Sequence, residues 1–135
     1  MPDEFIIEKA GTLERRLKRV SDIYAGNPKN LHEDLTKQDS ILLNIQRACQ
    51  ASIDLAMRII RVRSLNVPKE SKDAFKVLEA AQLIPADLSI SLQKMVGFRN
   101  IAIHEYQALN LKIVESVIQK NLNELLKFTE LALKL

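Results

Sequence analysis

The sequence contains one cysteine, three glycines, four prolines and no tryptophan in 135 residues. A single cysteine, Cys49, excludes an internal disulfide, and a chain without disulfides is typical of the reducing cytoplasm. The scarcity of glycine and proline disfavours a β fold with many turns and favours long helices. Aromatic residues make up only 4% of the chain, and they are too dispersed to form a base-stacking platform for nucleic acid.

Long apolar runs are also missing. No apolar stretch approaches the roughly 18 residues that a membrane-spanning helix needs. The first residues, Met1 to Glu4, are acidic where a secretory signal would be basic. We therefore expect a cytoplasmic protein that does not enter a membrane. The formal net charge of +3 is compatible with an RNA or DNA partner but does not identify one.

Hydrophobic residues make up 47% of the sequence, enough for a packed core, and the length fits a single domain over residues 1–135. Apolar residues recur at steps of three and four, which predicts helices. The five predicted helices run from about Glu4 to Tyr24, Lys37 to Arg63, Ser71 to Gln82, Ala86 to Ile103, and Asn110 to the C-terminus. We expect an all-α fold, a single antiparallel bundle of about five helices.

Short polar side chains mark the expected starts of these helices. Asp3 and Asn110 are predicted N-caps of the first and last helices. Thr36 with Asp39 resembles a capping box, which would open the second and longest helix. The stretch from Lys29 to Leu35 is predicted to be a polar connector.

In the fourth predicted helix a charged residue continues an apolar series. Leu88, Leu92 and Met95 follow steps of four and three, as the buried seam of a packed helix does. Arg99 is the next member of that series, about 20° from Leu88 around the helix. Burying a guanidinium without a partner is costly, so we expect an acid, an anion or a water-filled cleft beside it. The pattern indicates a pocket or a subunit interface at the end of this helix.

Two polar side chains close to Arg99 raise a geometric question. In an unbroken helix Asn100 and His104 share a face, whereas Arg99 and His104 diverge by roughly 140°. For Arg99 and His104 to act together, the helix must end or distort near Ile103, or the two residues must meet across a dimer. An arginine five residues before a histidine is a weak pattern by itself, and a structural arginine with a surface histidine is the alternative.

The segment from Lys94 to Tyr106, KMVGFRNIAIHEY, resembles the signature of the HepT-like HEPN proteins. The core pattern of that family is an arginine, four residues, a histidine, one residue and a tyrosine, usually with an asparagine after the arginine. The matching positions are Arg99, Asn100, His104 and Tyr106. The resemblance covers almost the whole chain. It implies a HEPN-like bundle that forms a homodimer in which two such motifs face one cleft.

The resemblance also implies a metal-independent endoribonuclease without a cofactor. In proteins of this kind the 2′-hydroxyl of RNA attacks the adjacent phosphorus. Arg99 would then bind the phosphate and stabilise the charge of the transition state. His104 would act as general acid or base, and Asn100 would orient the phosphate or the histidine.

A third implication concerns regulation. HepT-like toxins are paired with MntA-like minimal nucleotidyltransferase antitoxins in type VII-like toxin–antitoxin pairs, and the antitoxin transfers AMP to the motif tyrosine. By resemblance, Tyr106 is the modified residue. The added phosphates would occupy the cleft and repel RNA. The alternative is a tyrosine that packs between the last two helices.

Basic residues outside the motif are weaker candidates. Arg15, Arg19 and Lys94 are predicted to contact the RNA backbone. A solvated helix face, with acids on the same helix as partners, is the alternative for Arg15 and Arg19. With two histidines and one cysteine, and no HExxH or CxxC spacing, no metal site is expected.

Two other functions compete with the ribonuclease. The first is a non-catalytic HEPN subunit that binds a minimal nucleotidyltransferase, with the motif residues serving only that binding. The second is an oligomerisation bundle without any role in nucleic-acid chemistry. RNase activity that resists chelators and depends on His104 would distinguish the ribonuclease from both.

Overall fold

The computed structural model describes residues 3–104 and 110–135. The helices are α1 Glu4–Tyr24, α2 Lys29–His32, α3 Leu35–Val62, α4 Ser71–Ala80, α5 Ala86–His104, α6 Leu111–Ser116 and α7 Leu122–Leu133, with a π-helical turn, Val117–Asn121, between α6 and α7. These described residues form no strand. The prediction of an all-α fold is confirmed. None of the described helices is both long enough and apolar enough to span a bilayer.

Most helix boundaries agree with the sequence. Helix α1 has the predicted bounds because Asp3 accepts hydrogen bonds from the first free backbone N–H groups, at 2.9 and 3.2 Å. It ends where Ala25 adopts the left-handed conformation, with φ 51°, just before Gly26 at φ 66°. The predicted cap of the last helix is also confirmed, since Asn110 accepts from the backbone N–H of Lys112.

Two local features differ from the prediction. The connector from Lys29 to Leu35 is not wholly irregular, because Lys29–His32 forms one helical turn. The last predicted helix is not uniform either, because the π-helical turn Val117–Asn121 interrupts it. Turns of this kind insert one extra residue into the hydrogen-bond ladder, and apolar periodicity over so short a segment does not reveal them.

The start of α3 corrects the predicted capping box. The N-cap is Asp34, whose carboxylate accepts a hydrogen bond of 3.0 Å from the backbone N–H of Lys37. Thr36 lies inside the first turn and is exposed. The prediction of a Thr36–Asp39 box was wrong because Asp34 offers the same kind of cap two residues earlier.

We expect Asp34→Ala to lower the free energy of unfolding by about 1 kcal/mol, since it leaves an N-terminal N–H group of α3 without its acceptor. Thr36→Ala is the matched control and should change stability by only a few tenths of a kcal/mol, as exposed substitutions away from caps do. Urea denaturation followed by circular dichroism measures both. Equal destabilisation by the two substitutions would contradict the assignment of the cap.

Helix α3 is the centre of the bundle and packs against α1, α4, α5 and α7. It runs antiparallel to α1, because Lys9 near the start of α1 binds Asp54 late in α3. Farther along α1, Arg16 binds Asn44, which lies earlier in α3. Most of the core-facing residues of α3 are buried aliphatic side chains.

Helix α5 packs directly against α3 and α7 and is also joined to α4. The buried Ser89 hydroxyl of α5 donates to the backbone carbonyl of Phe75 on α4 at 3.2 Å. Phe75 in turn meets Phe128 of α7 edge to face, with ring centroids 5.5 Å apart. These contacts fix the position of α5 against α3, and with it the position of the side chains that the sequence singles out.

Candidate active site

Arg99 lies near the end of α5, in line with a buried seam. Leu88, Leu92 and Met95 are buried, which confirms the predicted seam. Arg99 is itself half-buried, and its Nη1 donates a hydrogen bond of 2.6 Å to Oε1 of Gln50 on α3. The seam therefore directs the guanidinium toward the middle of α3.

The hydrogen-bond acceptor of Arg99 Nη1 is a neutral amide, the side chain of Gln50. Among residues 3–104 and 110–135, no carboxylate forms an ion pair with Arg99. Its Nε is buried and has no hydrogen-bond acceptor within that same part of the chain. A buried N–H without an acceptor is costly. Of the three expected neighbours (an acid, an anion or a water-filled cleft), the acid is not found among the described residues, where an amide takes its place.

Gln50 belongs to a chain of polar contacts that crosses three helices. Its Nε2 donates to Oδ1 of Asp54, one turn farther along α3, at 2.9 Å. The other oxygen of Asp54, Oδ2, lies 3.3 Å from Nζ of Lys9 on α1. Gln50 and Asp54 are not among the residues predicted from the sequence to form the site. Their i,i+4 spacing in a mainly apolar helix is the signal that would have found them.

Cys49, next to Gln50 in α3, lies close enough to Arg99 for the guanidinium charge to affect its pKa. Burial raises the pKa of the Cys49 thiol to about 12, and the nearby guanidinium lowers that pKa only in part. The thiol is therefore protonated at neutral pH and behaves as a small apolar side chain rather than as a nucleophile. It gives this part of α3 no chemistry of its own.

His104 and Asn100 occupy the outward side of α5. Both are exposed, and α5 is helical through His104. Helical geometry therefore separates Arg99 from His104 by roughly 140° around α5. The described part of α5 ends at His104, one residue past Ile103, and it is regular from Arg99 to His104. A single chain thus does not bring the arginine and the histidine to one point.

The outward side of α5 also carries apolar residues. Ile90 and Ile101 are 52% and 45% exposed. Gly97 lies between them on the same stripe of the helix, and a Cβ added there would meet no atom within 4 Å. A helix that is apolar on both sides is usually covered on both sides. We call Ile90, Gly97 and Ile101 the outer stripe of α5.

The three predicted RNA-binding residues do not form one cluster with Arg99. Arg15 is exposed and donates to the Thr12 hydroxyl within α1, at 3.1 Å, and Arg19 is exposed one turn later. Lys94 is exposed on α5, roughly 140° around that helix from Arg99. Lys94 therefore lies beside the outer stripe, on the same side of α5 as His104.

Tyr106, the predicted site of modification, lies outside the described residues. Its predicted role rests on the motif alone. The described residues nearest to it in sequence are His104, at the end of α5, and Asn110, which caps α6.

Comparison with known proteins gives a consistent set of relatives. The family model described as "Ribonuclease HepT-like" matches residues 13–132. The mRNA nuclease HepT of Shewanella oneidensis is 44% identical over 128 residues, which make up 95% of this chain and 96% of that protein.

Two solved structures agree with this chain in fold as well as in sequence. One is the tri-AMPylated Shewanella oneidensis HEPN toxin in complex with MNT antitoxin, with a TM-score of 0.90, 43% identity, and coverage of 96% of each chain. The other is a toxin–antitoxin structure with AMP-PNP, with a TM-score of 0.91, 43% identity, and coverage of 96% of this chain and 97% of that one. At this identity and coverage, the likeness extends over nearly the whole chain.

Proposed function

The chain belongs to the HepT-like ribonuclease family, and we propose that it is the toxin of a toxin–antitoxin pair, an endoribonuclease that cleaves messenger RNA without a metal ion. Its partner is an MntA-like nucleotidyltransferase antitoxin, as in the related complexes. The observation in the structure that best supports this function is the Arg99 guanidinium, which is held by an amide and not neutralised by a described carboxylate. We place its action in the cytoplasm, where messenger RNA is translated.

The proposed chemistry is a transfer of phosphorus from one oxygen of RNA to another. The 2′-oxygen forms a bond to the adjacent phosphorus while the bond to the 5′-oxygen breaks, which leaves a 2′,3′-cyclic phosphate. Arg99 binds the phosphate and stabilises its added negative charge. His104 moves a proton, either from the 2′-hydroxyl or to the departing 5′-oxygen, and Asn100 orients the phosphate or the histidine.

A homodimer would make this site complete. Within one chain, Arg99 points toward α3 whereas His104 is exposed on the outward side of α5. Two copies that pack through their outer stripes would place the His104 ends of their α5 helices side by side. Each Arg99 lies about 180° around α5 from the outer stripe, so RNA would reach the guanidinium around the end of that helix. The exposed Ile90 and Ile101, with the open space at Gly97, favour such a contact.

Neutralisation by the antitoxin is proposed to act on Tyr106. AMP joined to its hydroxyl would bring negatively charged phosphates within reach of Arg99 and His104. These phosphates would compete with the RNA backbone for the same cations and would repel the rest of the RNA. The related toxin is tri-AMPylated, so one or more AMP groups are expected on this tyrosine.

Incubation of the purified chain with RNA in the presence of EDTA tests the activity. We expect cleavage that EDTA does not reduce, with products that end in 2′,3′-cyclic phosphate. Treatment with the nucleotidyltransferase and ATP should add AMP to Tyr106, as peptide mass spectrometry would show, and should abolish cleavage. A Tyr106→Phe variant should keep its cleavage after the same treatment.

A non-catalytic HEPN subunit is the second candidate function. The divergence of Arg99 and His104 within one chain favours it, since a monomer would lack a complete site. Under this alternative the chain would bind the nucleotidyltransferase but leave RNA intact, even when Tyr106 is unmodified. Cleavage by the purified chain would exclude it.

A further inference from the structure

We propose that Gln50 is a positioning residue that holds the Arg99 guanidinium in place without neutralising its charge. The inference rests on the proposed ribonuclease function for its catalytic consequence. Its structural part, that Gln50 restrains Arg99, stands on the contacts of the described residues alone. Gln50 comes from α3, 49 residues before Arg99 in the sequence, and the two side chains meet across the core at 2.6 Å.

The type of side chain at position 50 matters for charge. An amide oxygen accepts a hydrogen bond from a guanidinium but carries no net charge, whereas a carboxylate in the same place would form an ion pair. An arginine paired with a carboxylate attracts a phosphate less strongly, because the neighbouring negative charge offsets part of its own. Gln50 therefore restrains Arg99 by a hydrogen bond without itself offsetting the positive charge.

Asp54 determines which end of the Gln50 amide faces Arg99. The amide has an acceptor end and a donor end. Because Nε2 donates to Oδ1 of Asp54 at 2.9 Å, Oε1 is the atom directed toward Nη1 of Arg99. The reverse orientation would place an N–H group against a guanidinium N–H and an oxygen against a carboxylate, and both contacts would be repulsive.

Lys9 completes this arrangement from α1. Its Nζ lies 3.3 Å from Oδ2 of Asp54, so that the carboxylate charge is balanced locally. The result is an alternating series of donors and acceptors from Lys9 through Asp54 and Gln50 to Arg99, and it joins α1, α3 and α5. Arg99 is thereby restrained before RNA binds, which lowers the ordering required at the moment of reaction.

Two substitutions of Gln50 separate positioning from packing. Gln50→Glu keeps the shape of the side chain and offers Arg99 an ion pair, but it also loses the hydrogen bond to Asp54 and sets a second carboxylate against it. Because the new attraction and the new repulsion oppose each other, the melting temperature should stay close to that of the parent. Cleavage should nevertheless fall about 100-fold, because the cation is neutralised. Gln50→Ala should lower kcat by a similar factor with a smaller change in KM, because the guanidinium is no longer aligned. Gln46→Glu, one turn earlier on α3, is the matched control and should leave cleavage unchanged.

A purely structural role for Gln50 makes the opposite prediction. The stable Gln50→Glu variant would then cleave RNA at the parent rate, and that result would overturn the proposal. The side-chain N–H signals of Arg99 in ¹H–¹⁵N spectra, assigned by their loss in Arg99→Lys, provide a readout that does not depend on activity. Restrained rotation of the guanidinium should produce separate Nη signals in the parent and averaged signals in Gln50→Ala.

The spectra and the cleavage assay test two different parts of the proposal, the restraint of Arg99 and the ribonuclease function. If the Arg99 signals are the same in Gln50→Ala as in the parent, Gln50 does not restrain the guanidinium and the proposal is wrong, whatever the assay shows. If the Arg99 Nη signals are separate in the parent and averaged in Gln50→Ala, the restraint is confirmed. If the parent nevertheless cleaves no RNA, the proposed ribonuclease function is wrong.

Discussion

Replacement of Arg99 or His104 by alanine should slow RNA cleavage by at least about 100-fold while the protein keeps its helical content. Loss of one charged donor to a transition-state oxyanion costs about 10²- to 10³-fold in rate. Loss of a general acid or base costs about 10²- to 10⁴-fold. The two single variants should be similarly inactive, and the double variant only slightly worse, because groups that act in one step are not additive.

Matched controls come from the same residue types elsewhere in the chain. His32 is the other histidine, and its Nε2 lies 3.3 Å from Glu115 on α6. Arg61 is exposed in the last turn of α3. His32→Ala and Arg61→Ala should cleave RNA at nearly the parent rate. If either Arg99→Ala or His104→Ala cleaved as fast as these controls, with circular dichroism confirming that all are folded, the assignment of that residue would be wrong.

Arg99→Lys tests whether a positive charge alone is sufficient at position 99. Lysine keeps the charge but loses the planar fork that binds two phosphate oxygens at once, and it also loses the geometry of the bond to Gln50. We therefore expect cleavage well below the parent. A lysine variant as active as the parent would show that charge alone is sufficient at position 99.

The parts of the fold that follow from local chemistry could be predicted from the sequence. The bounds of α1 are set by Asp3 at one end and by the residues before Gly26 at the other, and all of these act within a few residues. The seam of α5 follows from spacing alone, and it placed Arg99 at the end of a buried row. The cap of α3 was misplaced by two residues, because Asp34 and Thr36 have similar propensities and only the geometry of the turn separates them.

The parts that depend on contacts between distant residues could not be predicted in this way. The partner of Arg99 comes from 49 residues earlier in the chain, so helical periodicity carries no information about it. The sequence led us to expect an acid, an anion or a water-filled cleft beside the guanidinium. That set did not include an amide that makes the hydrogen bond while a neighbouring acid, Asp54, orients the amide.

The second prediction with a large expected effect concerns a substitution in the outer stripe of α5. Gly97→Lys should convert a dimer to a monomer and reduce cleavage by about 100-fold or more, because it places a long charged side chain where two copies are proposed to meet. The folded chain itself should tolerate the change, since a Cβ at Gly97 meets no atom within 4 Å. Removal of a glycine from the interior of a helix should even stabilise each chain, by about 0.5–1 kcal/mol for Gly97→Ala.

Gly11→Lys is the matched control for this prediction. It makes the same change of residue and charge inside α1, where an added Cβ would approach only the flexible end of Arg15, at 3.2 Å. We expect Gly11→Lys to sediment as a dimer in a sedimentation-velocity experiment and to cleave RNA at the parent rate. A Gly97→Lys variant that is equally dimeric and active would show that the copies do not meet at the outer stripe. If instead Gly97→Lys is monomeric and inactive but melts at or above the parent temperature, the defect lies in assembly and not in folding. The divergence of Arg99 and His104 around α5 then has its explanation in a site that two chains build together.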